Sequence, residues 1–211
     1  MLIDTKTIIN ILKLNKITTT GIFHIGAHDC EEYNFYNKEL CVKPCDMLWI
    51  EAVPYKVKEA ASRGINNVYN AIITDKNDID TTFNITNNVS SSSILELGTH
   101  SEEHPWIVCV GKHIQKSITI DTFFERNKID PSIYSFWNID IQGAELLALK
   151  GGTNSIKYAK ALYLEVNEKE LYKKCSLIDD IDNFLLAYNF KRVMTQMTIH
   201  GWGDALYIRK D

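Results

Sequence analysis

Three residues have the chemical types and the spacing of a nucleotide-binding site. Gly26, Glu51 and Asp140 each directly follow a short apolar run that predicts a buried strand. A glycine lets a ligand approach the backbone closely, and a carboxylate accepts two hydrogen bonds at once, which suits a pair of ribose hydroxyls. Glu51 lies 25 positions after Gly26 and ends the next strand. It therefore has the place of the ribose-binding acid in a βαβ nucleotide unit.

Each of these residues also has a purely structural interpretation. The turn at Gly26 lacks the second and third glycines of G-x-G-x-x-G, so it is a weak motif by itself. Glu51 and Asp140 could simply cap the ends of their strands. The combination of all three favours a ligand site at one edge of a sheet, and leaves open whether Asp140 is a base, a substrate clamp or a cofactor contact.

The stretch from Asn138 to Gly152 is the centre of this pattern. A β-branched and aromatic run, Phe136–Ile141, predicts a buried strand, and Gln142-Gly143 predicts a turn after it. Ala144–Lys150 then has the composition of a short helix that ends at paired glycines. Open α/β sheets place their binding crevice where a strand bends into a helix in this way.

The rest of the chain supplies the elements that would position these residues. An amphipathic N-terminal helix is followed by strands that alternate with helices, and Asp121 is predicted as the N-cap of one of those helices. The last two strands are joined by residues 198–204, which are too few for a crossover helix, so this pair should be antiparallel. The pattern predicts a three-layer αβα sandwich. The strands are expected at 22–25, 47–50, 67–74, 81–86, 117–120, 136–141, 161–167, 190–197 and 205–209, and the helices at 31–36, 55–63, 144–150 and 178–188.

Composition limits the class of protein. The 211 residues fit a single domain, 1–211, with residues 1–20 as a helical extension. A net charge of −4 argues against nucleic-acid binding, and no apolar run approaches the length of a membrane span. Five cysteines without a Cys-x-x-Cys motif predict free thiols in a reducing compartment, and hence a cytoplasmic protein.

No metal site is predicted. His100 and His104 have the i, i+4 spacing of metal ligands, but a third ligand is not evident nearby and Pro105 interrupts the helix. The acidic turn at 75–80 lacks the glycine and the distal glutamate of an EF-hand loop. The serine run 90–93 is either a linker or a source of hydroxyl donors to a ligand.

Several of these segments resemble the motifs of a known family. The stretch 139–151 looks like the hallmark of FkbM-type methyltransferases, and 23–28 and 49–52 look like that family's first two motifs. The segments 164–167 and 201–207 are also similar to members of it. The resemblance covers residues 21–210 and implies the class I methyltransferase fold, a Rossmann-like, mostly parallel seven-stranded sheet that ends in an antiparallel hairpin.

The resemblance implies S-adenosylmethionine as the cofactor and assigns residues to it. The residues that would contact it lie in the turn after the first strand, at the end of the second and third strands, and at the end of the strand before Gln142. They are Gly26, Ala27, His28, Glu51, Ala52, Ala71, Ile72 and Asp140. There is one departure from the pattern. His24 stands where many class I enzymes have an acid that holds the methionine part of the cofactor.

The implied activity is O-methylation of a small molecule, with a sugar hydroxyl in glycan or nucleotide-sugar biosynthesis as the expected acceptor. A hydroxyl must lose its proton, and the candidate bases are Asp140, Glu165 and His200. The expected substrate-binding residues are Ser92, Gln142, Trp202 and Asp204; the Trp202 ring could stack on a sugar. The alternatives are methylation of another hydroxyl, a nicotinamide-dependent oxidoreductase, and a binding module that has kept the fold without catalysis.

Overall fold

A seven-stranded sheet forms the centre of the molecule, which a computed structural model describes over residues 1–210. The strands are β1 (Ile22–Ile25), β2 (Met47–Glu51), β3 (Val68–Asn70), β4 (Ile72–Ile73), β5 (Asp80–Thr86), β6 (Cys109–Ile118), β7 (Phe136–Ile139), β8 (Ala161–Asn167), β9 (Phe190–Met197) and β10 (Trp202–Arg209). The helices are α1 (Thr5–Leu14), α2 (Pro54–Ser62), α3 (His100–Glu103), α4 (Ile120–Asn127), α5 (Glu145–Lys150) and α6 (Ile178–Leu186).

The strand order of this sheet is β3-β2-β1-β7-β8-β10-β9. The first five strands in this order run parallel, and β10 is antiparallel to both of its neighbours. The predicted Rossmann-like sheet, mostly parallel with a C-terminal antiparallel hairpin, is therefore confirmed. The register between β8 and β10 pairs Asp204 with Glu165, so these two carboxyl groups lie on neighbouring strands.

Apolar clusters on both faces of the sheet explain the three layers. Successive residues of a strand point to opposite faces, so Phe23 packs in one cluster and Ile22 in the other. The first cluster holds the buried faces of α4, α5 and α6, and the second holds those of α1 and α2. Because β1, β2, β7 and β8 are buried at every position, their sequences are mostly apolar, and the few polar residues in them, such as His24 and Asn138, are buried as well.

Two predictions of the strands were wrong. The expected third strand, 67–74, divides after Asn70: β3 joins the main sheet, whereas β4 leaves it for a separate three-stranded sheet of order β4-β6-β5. Of the expected strand 117–120, only residues 117 and 118 are in a strand: they end the much longer β6, whereas Ile120 begins α4. The sequence of β6 hides its length, because alternate residues are exposed and Gly111, Lys112 and Lys116 interrupt the apolar pattern.

Two predictions of the helices were also wrong. Thr119, not Asp121, is the N-cap of α4, and its hydroxyl accepts a hydrogen bond from the backbone N–H of Thr122 at 3.2 Å. Asp121 instead accepts hydrogen bonds from the segment at 154–155. The helix expected at 31–36 is replaced by turns and a π-helical turn, Phe35–Glu39, that packs Phe35 into the second cluster.

No helix within residues 1–210 is long and apolar enough to cross a lipid bilayer. The five cysteines, which lie at positions 30, 41, 45, 109 and 175, are all free thiols.

Candidate active site

The carboxyl ends of β1, β2 and β7 bring Gly26, Glu51 and Asp140 to one cavity. The parallel register aligns Ile25 with Ile50 and with Ile139, so the residues that follow each strand meet at the same edge. Backbone hydrogen bonds continue this alignment past the strands, since the N–H of Asp140 donates to the carbonyl of Ile25 at 3.0 Å. The grouping predicted from the sequence is therefore present in the fold.

We refer to this cavity, to which the family resemblance assigns the cofactor, as the cofactor cavity; it has a volume of about 1080 Å³, including the part open to solvent. It is lined by all but one of the residues that the resemblance assigned to the cofactor, namely Gly26, His28, Glu51, Ala52, Ala71, Ile72 and Asp140. Ala27 is the exception, because its side chain is buried in the second hydrophobic cluster. Ser92, predicted as a substrate residue, lines this cavity, and its hydroxyl accepts a hydrogen bond from the backbone N–H of Thr86 at 3.0 Å.

Gly26 is required by the close approach of two chain segments. Its φ is +92°, and a Cβ atom at this position would lie 1.8 Å from the carbonyl oxygen of Asp140. Any side chain would therefore push β1 and β7 apart at the edge that carries the site. The glycine predicted from the nucleotide-binding pattern is a packing necessity in this fold.

Glu51 is held by the backbone on both of its carboxylate oxygens. Oε2 accepts from the N–H of His28 and Oε1 from the N–H of Val53, each at 2.7 Å. Burial raises the pKa of Glu51, and these two hydrogen bonds act in the opposite direction. A carboxylate has about four acceptor sites, so each oxygen keeps a lone pair for a ligand in the cavity.

His24, where the family pattern has an acid, lies in a neutral network. Its ring stacks on Trp49 with centroids 4.9 Å apart, and its Nδ1 lies 3.2 Å from the hydroxyl of Tyr36. The same hydroxyl accepts a hydrogen bond from the amide of Asn138 at 2.7 Å. Burial lowers the pKa of His24 to about 4. The imidazole is therefore uncharged at neutral pH and cannot replace the acid as an ion-pair partner.

His28 belongs to an acidic cluster at the outer side of the cofactor cavity. Its Nδ1 lies 2.8 Å from Glu31 and 3.6 Å from Asp29. The hydrogen bond with Glu31 raises the pKa of His28. The ligand atoms of these three residues lie within 4.8 Å of one another, but Lys56 already places a cation 3.0 Å from Asp29.

Gln142 links two carboxyl groups on neighbouring strands. Its amide nitrogen donates to Asp140 at 2.8 Å and to Glu165 at 2.6 Å. The amide oxygen accepts a hydrogen bond from the hydroxyl of Tyr172 at 2.6 Å, which fixes the orientation of the amide. Gln142 was predicted to bind substrate, but these partners make its side chain part of the framework that positions the carboxyl groups. Tyr172 was missed, because nothing local in the sequence points to a tyrosine 30 residues away.

The two carboxyl groups have different environments. Glu165 is buried, and burial raises its pKa well above the ordinary value, with the charge of Asp140 acting in the same direction. Asp140 is exposed. The pair therefore combines an exposed carboxyl group with a buried one whose charged form is disfavoured by its surroundings.

Glu145 has a structural part in the same turn. One of its carboxyl oxygens accepts hydrogen bonds from the N–H groups of Ile141, at 2.9 Å, and Gly143, at 3.1 Å. Its side chain is completely buried, and burial raises its pKa to about 8. The side chain of Glu145, the first residue of α5, thus stabilises the turn that carries Gln142 through these two hydrogen bonds.

A second cavity adjoins the first across Asp140 and Gln142. It has a volume of about 880 Å³, including the part open to solvent, and Glu165, Trp202 and Asp204 line it as well. Asp204 accepts hydrogen bonds from the hydroxyl of Tyr163 and from the backbone N–H of Leu2. Two further lining residues are His100 and His104, the pair that the sequence analysis considered as metal ligands and did not adopt.

His200 does not line either cavity. Its ring lies 4.7 Å from that of His104, and its Nδ1 is 3.0 Å from Glu103. Lys169 holds the other oxygen of Glu103 at 2.8 Å. His200, the candidate base in the C-terminal loop, therefore contacts Glu103 and lies outside the lining of the second cavity.

Comparisons with known proteins agree with this geometry. The model of the methyltransferase FkbM domain family matches residues 24–192. No curated protein sequence gives a significant match.

A solved structure of another methyltransferase shares the fold. A crystal structure of methyltransferase FkbM from Methylobacillus flagellatus KT is 15% identical in sequence, with a TM-score of 0.54 over 90% of this chain. The chain spans 44% of the length of that protein. Magnesium protoporphyrin IX methyltransferase from Synechocystis PCC 6803, solved with bound SAM, is 12% identical, with a TM-score of 0.45 over 98% of this chain and 78% of that one. The match of the family model over most of the sequence shows that this chain belongs to the FkbM methyltransferase family.

Proposed function

We propose that the protein is an S-adenosylmethionine-dependent O-methyltransferase whose acceptor is a sugar hydroxyl. The observation that carries the proposal is the position of Asp140, which lines both the cofactor cavity and the adjoining second cavity. A methyl group held in the first cavity and a hydroxyl held in the second would meet beside this carboxylate. We refer to the second cavity as the acceptor cavity.

The residues of the first cavity fit the cofactor. Glu51 offers two carboxylate oxygens with free lone pairs to the ribose hydroxyls. Ala52, Ala71 and Ile72 give an apolar wall for the adenine. Glu32 also lines the cavity, where it lies 3.6 Å from the ammonium of Met1, and in our proposal its carboxylate holds the ammonium of the methionine part in place of the acid that is missing at His24.

The chemistry supplied by the bound cofactor is an electrophilic methyl group on a sulfonium. Methyl transfer forms a carbon–oxygen bond to the acceptor and breaks the carbon–sulfur bond, while the acceptor hydroxyl gives up its proton. Asp140 accepts that proton in our proposal, because it is an exposed carboxylate between the two cavities.

Gln142 and Glu165 keep Asp140 in place. The amide of Gln142 donates to both carboxyl groups and so fixes the direction in which Asp140 faces. Positioning of this kind supplies a large part of the rate enhancement in a displacement reaction. Burial and the charge of Asp140 both disfavour the charged form of Glu165, so Asp140 is the exposed member of the pair that can take the acceptor proton.

The aromatic lining of the acceptor cavity supports a sugar as the acceptor. Trp202 and Tyr172 both line it, and an aromatic ring offers an apolar surface on which the C–H face of a sugar can pack. Carboxyl groups nearby, such as Asp204, accept hydrogen bonds from sugar hydroxyls.

The experiment separates cofactor binding from turnover. Calorimetry with S-adenosylmethionine and with S-adenosylhomocysteine should show binding that Glu51→Ala weakens at least tenfold, because the variant loses both acceptors for the ribose hydroxyls. Asp140→Asn should bind the cofactor within a few-fold of the natural protein but lose turnover of labelled cofactor on a panel of sugars. Glu59→Ala, an exposed change on α2, is the control for both.

Absence of cofactor binding by the natural protein would contradict the proposal. Full turnover by Asp140→Asn would contradict the role of Asp140 as the base.

A further inference from the structure

The acceptor cavity is acidic and has almost no positive charge. Three of its lining residues carry carboxyl groups, namely Asp140, Glu165 and Asp204. Among its lining residues in the described part of the chain, 1–210, there is no lysine or arginine. The ammonium of Met1 is the single formal cation of the lining, and Glu32 lies 3.6 Å from it.

Cations near this cavity are engaged in other ion pairs. Lys169, which contacts the turn at Gly201, pairs with Glu103 at 2.8 Å. Lys173, next to the lining residue Tyr172, pairs with Glu96 at 2.8 Å. Neither residue lines the cavity, so neither offers a free charge to a bound phosphate.

The backbone offers no substitute for these missing cations. Phosphate groups are often held by the N–H groups of a glycine turn at the start of a helix. Here the turn before α5 has the right shape, but its N–H groups at Ile141 and Gly143 both donate to Glu145. A buried carboxyl group therefore already fills the position that an anion would take.

We propose, on the basis of the function proposed above, that the acceptor carries no phosphate or carboxylate next to the reacting hydroxyl. The acceptor class is an uncharged sugar that is already in glycosidic linkage, rather than a sugar phosphate or a nucleotide sugar. A phosphate on the sugar, next to the hydroxyl that reacts, would lie close to the carboxyl groups of Asp140 and Asp204, and no lysine or arginine lines the cavity to offset their charge. The reaction that supplies the substrate is consequently a glycosyl transfer, which removes the nucleoside diphosphate before methylation.

The test compares acceptors that share the same sugar and differ in the substituent at the anomeric oxygen, and its salt dependence separates the effect of charge from that of size. Initial rates are measured for a series of methyl glycosides, for the corresponding sugar 1-phosphates and for the uridine diphosphate sugars. We expect the kcat/KM of the methyl glycosides to exceed that of the phosphorylated sugars by roughly tenfold or more. The reason is the repulsion between a bound phosphate and the nearby carboxyl groups of Asp140 and Asp204. The difference should shrink as salt rises from 0.05 M to 0.5 M, since ions screen the repulsion.

A charge variant gives an independent check. Asp204→Asn keeps an oxygen that can accept hydrogen bonds from Tyr163 and Leu2 but removes the negative charge. It should raise the rate on the phosphorylated sugars relative to that on the glycosides. Asp179→Asn, on α6 and away from the cavity lining, should leave the ratio unchanged.

The outcomes distinguish this inference from the proposed function. A kcat/KM for phosphorylated sugars equal to or above that for glycosides overturns the charge preference and leaves sugar methylation intact. If no sugar of either kind is methylated, sugar methylation fails, and binding to the protein saturated with S-adenosylhomocysteine is compared by saturation-transfer NMR. Stronger binding of the glycosides then supports the charge preference, and equal or stronger binding of the phosphates refutes it.

Discussion

The substitution Gly26→Ala tests whether the close approach of β1 and β7 builds the cofactor cavity. The new Cβ atom would lie 1.8 Å from the carbonyl oxygen of Asp140 and 2.8 Å from its carbonyl carbon. These are backbone atoms, which cannot rotate away as a flexible side chain can. Atoms that are not bonded pack at about 3.5 Å, so the Asp140 backbone must move by more than roughly 1 Å.

The magnitude follows from two contributions. A φ of +92° is unfavourable for alanine, and a left-handed backbone costs an L-residue about 1–2 kcal/mol. Displacement of Asp140 also disturbs the hydrogen bond from its N–H to Ile25, which contributes about 1 kcal/mol. We expect the free energy of unfolding to fall by about 3 kcal/mol. Because a misplacement of about 1 Å can reduce a rate by about 100-fold, we expect turnover to be lost as well.

Gly64 supplies the matched control. Its φ is +79°, but a Cβ atom there would meet nothing within 4 Å, so Gly64→Ala reports the backbone strain alone. Urea denaturation gives the free energy of unfolding of both variants, and calorimetry with S-adenosylhomocysteine gives the binding constants. Equal destabilisation of the two variants, together with unchanged cofactor binding by Gly26→Ala, would refute the packing argument.

Three further predictions concern hydrogen bonds and titration. Tyr172→Phe removes the hydrogen bond that orients the amide of Gln142, so kcat should fall about tenfold while the affinity for the cofactor stays unchanged. An equal fall of kcat in the control Tyr188→Phe would contradict this prediction. Because the pKa of His24 is about 4 in the fold against 6.5 ordinarily, the unfolded chain binds more protons below pH 6.5. The contribution of His24 to the free energy of unfolding should therefore fall by about 3 kcal/mol from pH 7 to pH 4. Urea denaturation of His24→Asn over the same pH range should lack this part of the pH dependence. Glu145→Ala leaves two backbone N–H groups without an acceptor and should cost about 3 kcal/mol by urea denaturation, whereas Glu145→Gln, which keeps an acceptor, should cost less.

The sequence placed the residues that depend on strand ends. Gly26, Glu51 and Asp140 each follow a short, mostly apolar run, and parallel strands bring their carboxyl ends to one edge of a sheet whatever the details of packing. Local periodicity was therefore enough to predict the sheet and the cavity at its edge. It failed at β6, where one face of the strand is open to solvent and the apolar pattern is interrupted.

Contacts between distant segments were decided by the tertiary structure alone. Tyr172 orients Gln142 across 30 positions, Glu103 holds His200 across 97, and the backbone of Leu2 reaches Asp204 across 202. None of these pairs leaves a local signal, because a hydrogen bond depends on where two side chains end in space and not on their spacing along the chain. The sequence by itself determined the family, the sheet and the carboxylates at its edge. Only the tertiary structure decided which carboxyl group is buried, which is exposed, and which candidate base lies outside the cavities.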